Sequence, residues 1–150
     1  MRAKILNASA GSGKTYQLAY KYVRDVIDQP GLYRHILAVT FTNKATEEMK
    51  SRILKEIHRL ASGGASPYLG NLCRELSLDE RSVRKRAAEV RSKILHDYSR
   101  FTVLTIDTFF QRILRAFIKE LGIDPNYNVE IETASVLSKG ADTLIEQITV

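Results

Sequence analysis

The sequence ASAGSGKT occupies residues 8–15, and this stretch decides how the rest of the chain is interpreted. It matches the pattern G-x-x-x-x-G-K-[ST], except that Ala8 stands where the first glycine is expected. A short apolar run, Ile5 and Leu6, comes before it, and helical periodicity begins at Lys14. In the order strand, loop, helix, backbone N–H groups and the helix N-terminus converge on one point, which favours a bound phosphate.

The side chains of this loop predict a site for ATP and Mg²⁺. We expect Lys14 to contact the β- and γ-phosphates and the Thr15 hydroxyl to be a Mg²⁺ ligand, so these two residues carry the catalytic role within the loop. A plain turn of small residues is the alternative, and the strand-loop-helix order argues against it. The residues predicted to surround the nucleotide are Ala8, Ser9, Ala10, Gly11, Ser12, Gly13, Lys14 and Thr15.

Length and composition are those of one globular domain. The 150 residues are 44% hydrophobic and 27% charged, and the net charge of +6 raises the expectation of a polyanionic partner without identifying it. The single cysteine, Cys73, excludes an internal disulfide and fits a reducing cytoplasmic compartment, in a small buried apolar role. No stretch predicts a membrane span or a signal peptide, so we expect no membrane partner.

The first half of the chain predicts two strand-helix units. Apolar residues recur at helical spacing from Leu18 until Pro30-Gly31, so the first helix should end near Asp28. Residues 35–41 form an almost continuous apolar run, which predicts a strand buried on both faces of a parallel sheet. Asn43 is the expected cap of a second helix that runs to Ala61. Its first turn should contain Glu47 and Glu48.

The second half predicts a loop over residues 62–71 and then a long helix introduced by a capping box, Ser77-x-x-Glu80. The buried stripe of that helix should contain Val83, Ala87, Val90, Ile94 and Tyr98. Its opposite face is basic, and we interpret it as solvated surface that could add nonspecific phosphate contacts. That basic face consists of Arg81, Arg84, Lys85, Arg86, Arg91 and Lys93.

A strand is predicted at residues 101–106, followed by a helix capped by Asp107 and ended by Gly122. Its apolar stripe is Phe110, Ile113, Leu114, Phe117 and Leu121. A half-buried strand at residues 127–131 and another helix should follow. Because that last pattern reaches Val150 without a stop signal, we expect the natural protein to continue. The alternation predicts an α/β fold that resembles a partial P-loop NTPase (RecA-like) core, with a mostly parallel sheet and a helical insertion.

Two further stretches resemble motifs of superfamily 1 DNA helicases of the UvrD/Rep and RecB/AddA branch. ILAVTFTNKATEEMKSRI, residues 36–53, closely resembles motif Ia, which touches single-stranded DNA in that family. TIDTF, residues 105–109, is similar to the next motif, usually Thr-Ile-His-Ser-Phe or Thr-Ile-Asp-Ser-Phe. The Ala-Ser-Ala-Gly start of the phosphate loop and Asp107 favour the RecB/AddA side. The resemblance covers residues 4 to about 133.

Polar residues at predicted strand ends agree with this resemblance, because open α/β sheets bind ligands at the carboxyl ends of their strands. Phe41 offers a face for base stacking and Lys44 a charge for phosphate, as in single-strand binders, although a strand-end aromatic is core about half the time. Asn43 and Asp107 also fit helix caps, a role compatible with a DNA contact. The resemblance implies DNA contacts at Thr40, Phe41, Thr42, Asn43, Lys44, Thr105, Asp107 and Thr108.

The resemblance implies the N-terminal ATP- and DNA-binding part of an ATP-dependent helicase, moving 3′ to 5′ in recombination or repair. Residues 1–133 would belong to the ATPase domain and residues 134–150 to a helical accessory subdomain. Such relatives can also have a nuclease domain and a partner subunit. Hydrolysis also needs an acidic pair after an apolar strand, and Asp79-Glu80 sits in a capping context instead. We therefore expect little or no hydrolysis from these residues alone.

Two other functional classes remain open from the sequence. A self-contained P-loop kinase or regulatory ATPase is nearly accommodated by 150 residues, but no acceptor site is evident. A DNA-binding module that has lost its motor is the other. It predicts that Lys14→Ala leaves DNA affinity unchanged.

Overall fold

The computed structural model describes residues 13–117 and 137–138 of the chain. The helices are α1 (Lys14–Asp28), α2 (Asn43–Ala61), α3 (Leu69–Leu76), α4 (Glu80–His96) and α5 (Ile106–Phe117). The strands are β1 (Ala38–Thr40) and β2 (Val103–Thr105), and single 3₁₀ turns occupy Leu32–Arg34 and Tyr98–Arg100. The predicted strand at Ile5 and Leu6, the loop residues Ala8–Ser12 and the elements expected after Gly122 lie outside these described residues.

The chain divides into two compact units, Met1–Phe110 and Gln111–Val150. The first unit contains all the described elements up to the start of α5. The boundary expected at residues 133 and 134 stays a prediction.

The two strands form a small parallel sheet in which Ala38 is paired with Val103 and Thr40 with Thr105. Helices α2, α3 and α4 lie between the strands in the sequence. A parallel pair requires such a crossover, because the chain must return to the same end of the sheet before the second strand begins. The α/β class is therefore confirmed, in a helix-rich chain whose sheet is two-stranded within residues 13–117.

The core of the first unit lies where α1, α2 and α4 pack together. The predicted helical stripes supply it, and α1 ends at Asp28 as expected. Each fully buried Val, Leu or Ile side chain contributes on the order of 1.5–3 kcal/mol to the free energy of unfolding. Among the core residues are Val23, Val26, Ile27, Ile53, Ile57, Leu60, Val83, Ala87, Val90 and Ile94.

The strand predicted over residues 35–41 is shorter and more exposed than its apolar run indicates. Only Ala38–Thr40 is extended in the sheet, and Val39 is 41% exposed. Among the described residues β1 pairs with β2 alone, and the side chain of Val39 lies on a face of this pair that is only partly covered. The expectation of burial on both faces was wrong for this segment as described.

The region between α2 and α4 also differs from its prediction. Helix α3 begins at Leu69, inside the predicted loop, because Leu72 is buried and Leu69 and Leu76 pack against the core. Ser77 does not cap α4. It ends α3 in a left-handed conformation, with φ of 53°.

Asp79 caps α4 instead, because its carboxylate accepts a hydrogen bond from the Ser82 N–H at 3.3 Å. Hydrogen bonding to Ser82, to its side chain above all, holds the pKa of Asp79 below its usual range. Tyr98 lies past the end of α4, in a 3₁₀ turn, and is exposed.

Two more predictions concern buried apolar residues. The stripe of α5 is present in the sequence, yet Phe110, Ile113, Leu114 and Phe117 are each more than a third exposed. No α5 residue is buried. Cys73 is half-buried and packs against the core, close to the small apolar role expected of it.

No helix in the described part of the chain is long and apolar enough to cross a bilayer.

Candidate nucleotide and DNA interface

The described end of the phosphate loop is the junction between Gly13 and α1. Gly13 has φ of 76° and ψ of 18°, a left-handed conformation, and its carbonyl accepts a hydrogen bond from the Gln17 N–H at 2.9 Å. Glycine adopts this conformation without the steric cost that a Cβ adds. Lys14 and Thr15 are the first two helical residues and are exposed. Residues 8–12 of the loop lie outside the described part.

This junction fits the group that the sequence predicts for it. A left-handed glycine directly before a 15-residue helix directs the chain into an N-terminus whose first N–H groups have no partner within the helix. Such an N-terminus attracts anions, and an ammonium and a hydroxyl in the first turn are the groups that a magnesium-bound triphosphate needs. Gly13, Lys14 and Thr15 would hold the β- and γ-phosphates and the metal.

Tyr68 fixes the first turn of α1 from the side. Its hydroxyl donates to the Tyr16 carbonyl at 3.3 Å, and its ring lies edge-on to the Tyr16 ring, with 5.0 Å between centroids. Burial raises the pKa of Tyr68 to about 12, so the hydroxyl stays a neutral donor across the physiological range. A cleft of about 620 Å³ beside this pair is also lined by Glu47 and Glu48 of α2. The start of α1 therefore lies alongside the first half of α2.

The turn from β1 to α2 is organised by Thr42. Its hydroxyl accepts a hydrogen bond from the Ala45 N–H at 3.1 Å and its backbone is extended, so Thr42 is the N-cap and Asn43 is already helical. The expectation that Asn43 caps this helix was wrong. Because α2 begins at Asn43, Glu47 and Glu48 lie past its first turn, which contains no acidic residue.

The turn from β2 to α5 is tighter. Thr105 is the last strand residue, and its hydroxyl accepts from the Thr108 N–H at 3.2 Å and pairs with the Thr108 hydroxyl at 2.8 Å. The cap is therefore Thr105 and not Asp107, since α5 starts at Ile106 directly after the strand. Asp107 lies exposed in the first turn, where the helix dipole favours a negative charge.

The parallel register brings these two turns to the same edge of the sheet. Thr40 is opposite Thr105, so both strands end at the same level and both following helices begin there. Phe41 is 84% exposed, and its neighbours Asn43 and Lys44 are exposed as well. Thr105, in contrast, is buried. The predicted DNA contacts thus form one group in space, of which Phe41 is the most prominent apolar member.

Thr46 belongs to this group and was not predicted. Thr46 is 8% exposed, and its hydroxyl lies 2.6 Å from that of Thr40. In the sequence it lies three residues before Met49, on the same face of α2 as the apolar stripe, but as a polar residue it was not assigned to that stripe. A threonine one turn after a predicted N-cap, with a second threonine ending the preceding strand, is the signal that could have indicated it.

The basic face of α4 is only partly solvated surface. Arg86 donates to the carbonyls of Ile27 and Asp28, at 3.3 and 2.9 Å, at the end of α1. Arg84 donates to the Leu60 carbonyl at the end of α2 and to that of Gly64, both at 3.2 Å. Cations near the C-termini of helices satisfy carbonyls that have no partner within the helix. Arg81 and Lys85 remain exposed.

Residues 2–149 match the family model described as the UvrD/REP helicase N-terminal domain. The chain belongs to this helicase family. It is 31% identical over 138 residues to an ATP-dependent helicase/nuclease subunit from Clostridium novyi. It is 30% identical over 128 residues to the RecBCD enzyme subunit RecB of Escherichia coli. The resemblance seen in the sequence, including its RecB/AddA side, is thereby confirmed.

The matched region of this helicase domain covers 91% and 80% of the chain in these two comparisons, but only 10% and 11% of the two relatives. The chain therefore spans about a tenth of the length of the curated relatives that it matches. No solved structure gives a significant match.

The acidic pair that ATP hydrolysis needs is not found after either described strand. Asp79 and Glu80 are the cap and first residue of α4, so they do not follow a strand. The residues that directly follow β1 and β2 are Phe41 and Ile106, not an acidic pair. Within residues 13–117 and 137–138, no group of three or more His, Cys, Asp or Glu side chains could hold a metal ion.

Proposed function

We propose that the chain is the N-terminal ATP- and single-stranded-DNA-binding portion of an ATP-dependent DNA helicase that moves 3′ to 5′ along its strand. The observation that carries the proposal is the parallel register of Thr40 and Thr105, which gathers two helicase-like motifs at one edge of the sheet. Membership of the UvrD/REP family supports the ATP-driven part of it.

Each group at this edge has a distinct task. The exposed ring of Phe41 stacks on a base, and the ammonium of Lys44 neutralises backbone phosphate. Asn43 and Thr42 supply polar contacts beside them. Asp107 accepts hydrogen bonds only, so it serves a donor on a base edge and not a phosphate oxygen. Thr105 and Thr108 hold the second turn in place and complete the contact surface.

ATP with Mg²⁺ binds through residues 8–15, the first of the three motifs along the chain. Lys14 holds the β- and γ-phosphates, and Thr15 ligates the metal. The groups that activate water and neutralise the transition state are supplied by other parts of a longer protein, since no acidic pair follows β1 or β2. Lys14 and Thr15 position the phosphates.

The whole protein acts in DNA recombination or repair, at the nucleoid in the cytoplasm, and pairs with a second subunit. The names of the relatives support this wider proposal: one belongs to an ATP-dependent helicase/nuclease and the other to the RecBCD enzyme. A tailed duplex is the direct test of movement in the full-length protein. Unwinding only from 5′ tails contradicts the proposed polarity.

The nucleotide site of the chain itself is tested by Lys14→Ala, with Lys21→Ala on the same helix as a charge-matched control. We expect Lys14→Ala to remove most of the affinity for a fluorescent ATP analogue with Mg²⁺, and Lys21→Ala to leave it unchanged. The wild-type chain should show little steady ATP hydrolysis, with or without single-stranded DNA. Sustained DNA-stimulated turnover by these 150 residues contradicts the assignment of the remaining catalytic groups to other parts of the protein.

A further inference from the structure

A closed cluster of hydroxyl groups lies inside the turn from β1 to α2. The hydroxyl of Thr46 is 2.6 Å from that of Thr40 and 3.1 Å from the Thr42 carbonyl. The Thr40 hydroxyl is 3.2 Å from the same carbonyl. The cluster thus connects the last strand residue, the N-cap and the first turns of the helix.

The two hydroxyl protons are both used within the cluster. A hydroxyl has one proton to donate and two lone pairs to accept with. Either Thr40 donates to Thr46 and Thr46 donates to the Thr42 carbonyl, or the direction is reversed. In both arrangements neither hydroxyl keeps a proton for an outside acceptor such as a phosphate oxygen.

The bond from Thr46 to the Thr42 carbonyl is not explained by helix stability. A hydroxyl that bonds the carbonyl four residues earlier slightly destabilises a helix and often bends it. Threonine is also a weaker helix former than alanine. The second bond of Thr46, to Thr40, has a different effect, because it joins the helix to the strand across the turn.

The residue inside the bonded turn is Phe41. Thr40 before it is held by the sheet register and by Thr46, and Thr42 after it is held as the N-cap. With both neighbours fixed, the Phe41 backbone has little freedom, and the residue is 84% exposed at the edge of the sheet. A restrained backbone fixes the direction of the Cα–Cβ bond of Phe41, so less conformational entropy is lost when a base stacks on the ring.

We infer that Thr46 is a positioning residue for the binding of single-stranded DNA, acting through the orientation of Phe41. The inference rests on the proposed function, because it needs Phe41 to stack on a base. It adds a residue that touches neither nucleotide nor DNA.

The test is a double-mutant cycle in the full 150-residue chain, with binding of a labelled oligo(dT) followed by fluorescence anisotropy. Thr46→Val keeps the shape and removes the hydroxyl, and Thr46→Ser keeps the hydroxyl. We expect Thr46→Val to weaken DNA binding about three- to tenfold, the range that one net hydrogen bond accounts for. Thr46→Ser should remain within about twofold of wild type. In the Phe41→Ala background, Thr46→Val should have no further effect.

A second measurement needs no DNA. Amide hydrogen exchange over residues 40–46 should be faster in Thr46→Val than in wild type and should be restored in Thr46→Ser, while exchange in α4 stays unchanged. If Thr46→Val does not fold, Thr46→Ala takes its place in both measurements. Thermal unfolding of each variant identifies the folded ones.

The outcomes separate the two claims. If the wild-type chain binds DNA and Thr46→Val binds equally well, the inference is wrong and the proposed function stands. An equal loss with and without Phe41 also contradicts it, because Thr46 would then act by another route. If the wild-type chain does not bind oligo(dT), the proposed DNA-binding function fails, and the positioning role fails with it.

Discussion

The edge of the sheet and the basic face of α4 both carry groups that suit DNA, but the fold uses them differently. At the edge, Phe41 and Lys44 point to solvent from backbone that is held by hydrogen bonds beneath them. On α4, Arg84 and Arg86 point inward to carbonyls at the ends of α2 and α1. Part of the charged surface thus serves the fold, while the exposed ring and ammonium at the edge are available to a ligand.

This difference limits what net charge indicates. An excess of six positive charges suggests a polyanionic partner, but cations that cap other helices contribute to stability and only weakly to the surface that a partner meets. Comparing the effects of substitutions in the two regions therefore separates binding from folding. Substitutions at the edge should change DNA affinity, and substitutions on α4 should change the free energy of unfolding.

The largest effect is expected at Phe41. Loss of a base-stacking ring costs about 1–3 kcal/mol in single-strand binding, so Phe41→Ala should weaken oligo(dT) binding by about five- to 150-fold. The free energy of unfolding should hardly change, because the ring is exposed. Leu95→Ala is the control, since Leu95 is a 69% exposed apolar residue on α4. Anisotropy titrations check the first expectation and urea unfolding the second. If Phe41→Ala and Leu95→Ala bind DNA equally well, the proposal that this edge binds DNA is wrong.

The next-largest effect is expected on α4, where a substitution should change stability and not DNA affinity. Arg86→Met keeps the apolar stem but removes two hydrogen bonds to the end of α1, and should lower the free energy of unfolding by about 1–2 kcal/mol. The charge-matched control is Lys85→Met, on the exposed side of the same helix, for which less than about 0.5 kcal/mol is expected. Urea unfolding compares the two. Were Arg86→Met to leave stability intact but weaken DNA binding, the division of roles between the two regions would be mistaken.

The smallest effect concerns the salt dependence of DNA binding. Each phosphate contact contributes about 0.7 to the slope of log affinity against log salt for single strands, so Lys44→Gln should reduce that slope by about this amount. Lys85→Gln, with the same loss of charge on α4, should leave the slope unchanged. Titrations at several salt concentrations measure both. A reduced slope for Lys85→Gln places phosphate on the α4 face as well.

Helical positions were the most predictable feature of the fold. The apolar stripes of α1, α2 and α4 follow the 3.6-residue period, and their central members are buried. Helix ends were less predictable, because several neighbouring residues can cap. Thr42, Asp79 and Thr105 cap where Asn43, Ser77 and Asp107 were expected. The choice depends on which residue has extended backbone at the junction, and that is set by the preceding strand or turn.

The candidate site was likewise predictable from the sequence only in part. Residue types and their order predicted a phosphate loop and two helicase-like motifs, and the family match confirms the family to which they belong. The individual contacts of these residues with nucleotide and DNA stay predictions. Thr46 escaped prediction because its partner, Thr40, lies in a different element and meets it only when the turn is folded.

Periodicity and local motifs are properties of neighbouring residues, so the sequence was enough to establish the helical stripes, the α/β class and the helicase family. Only the tertiary structure decided which polar groups face outward. Thr40 and Thr105 share an edge because two distant strands pair in parallel, and Arg84 and Arg86 turn inward because α4 packs beside the ends of α2 and α1. Both outcomes depend on contacts between residues far apart in the chain, which no local pattern specifies.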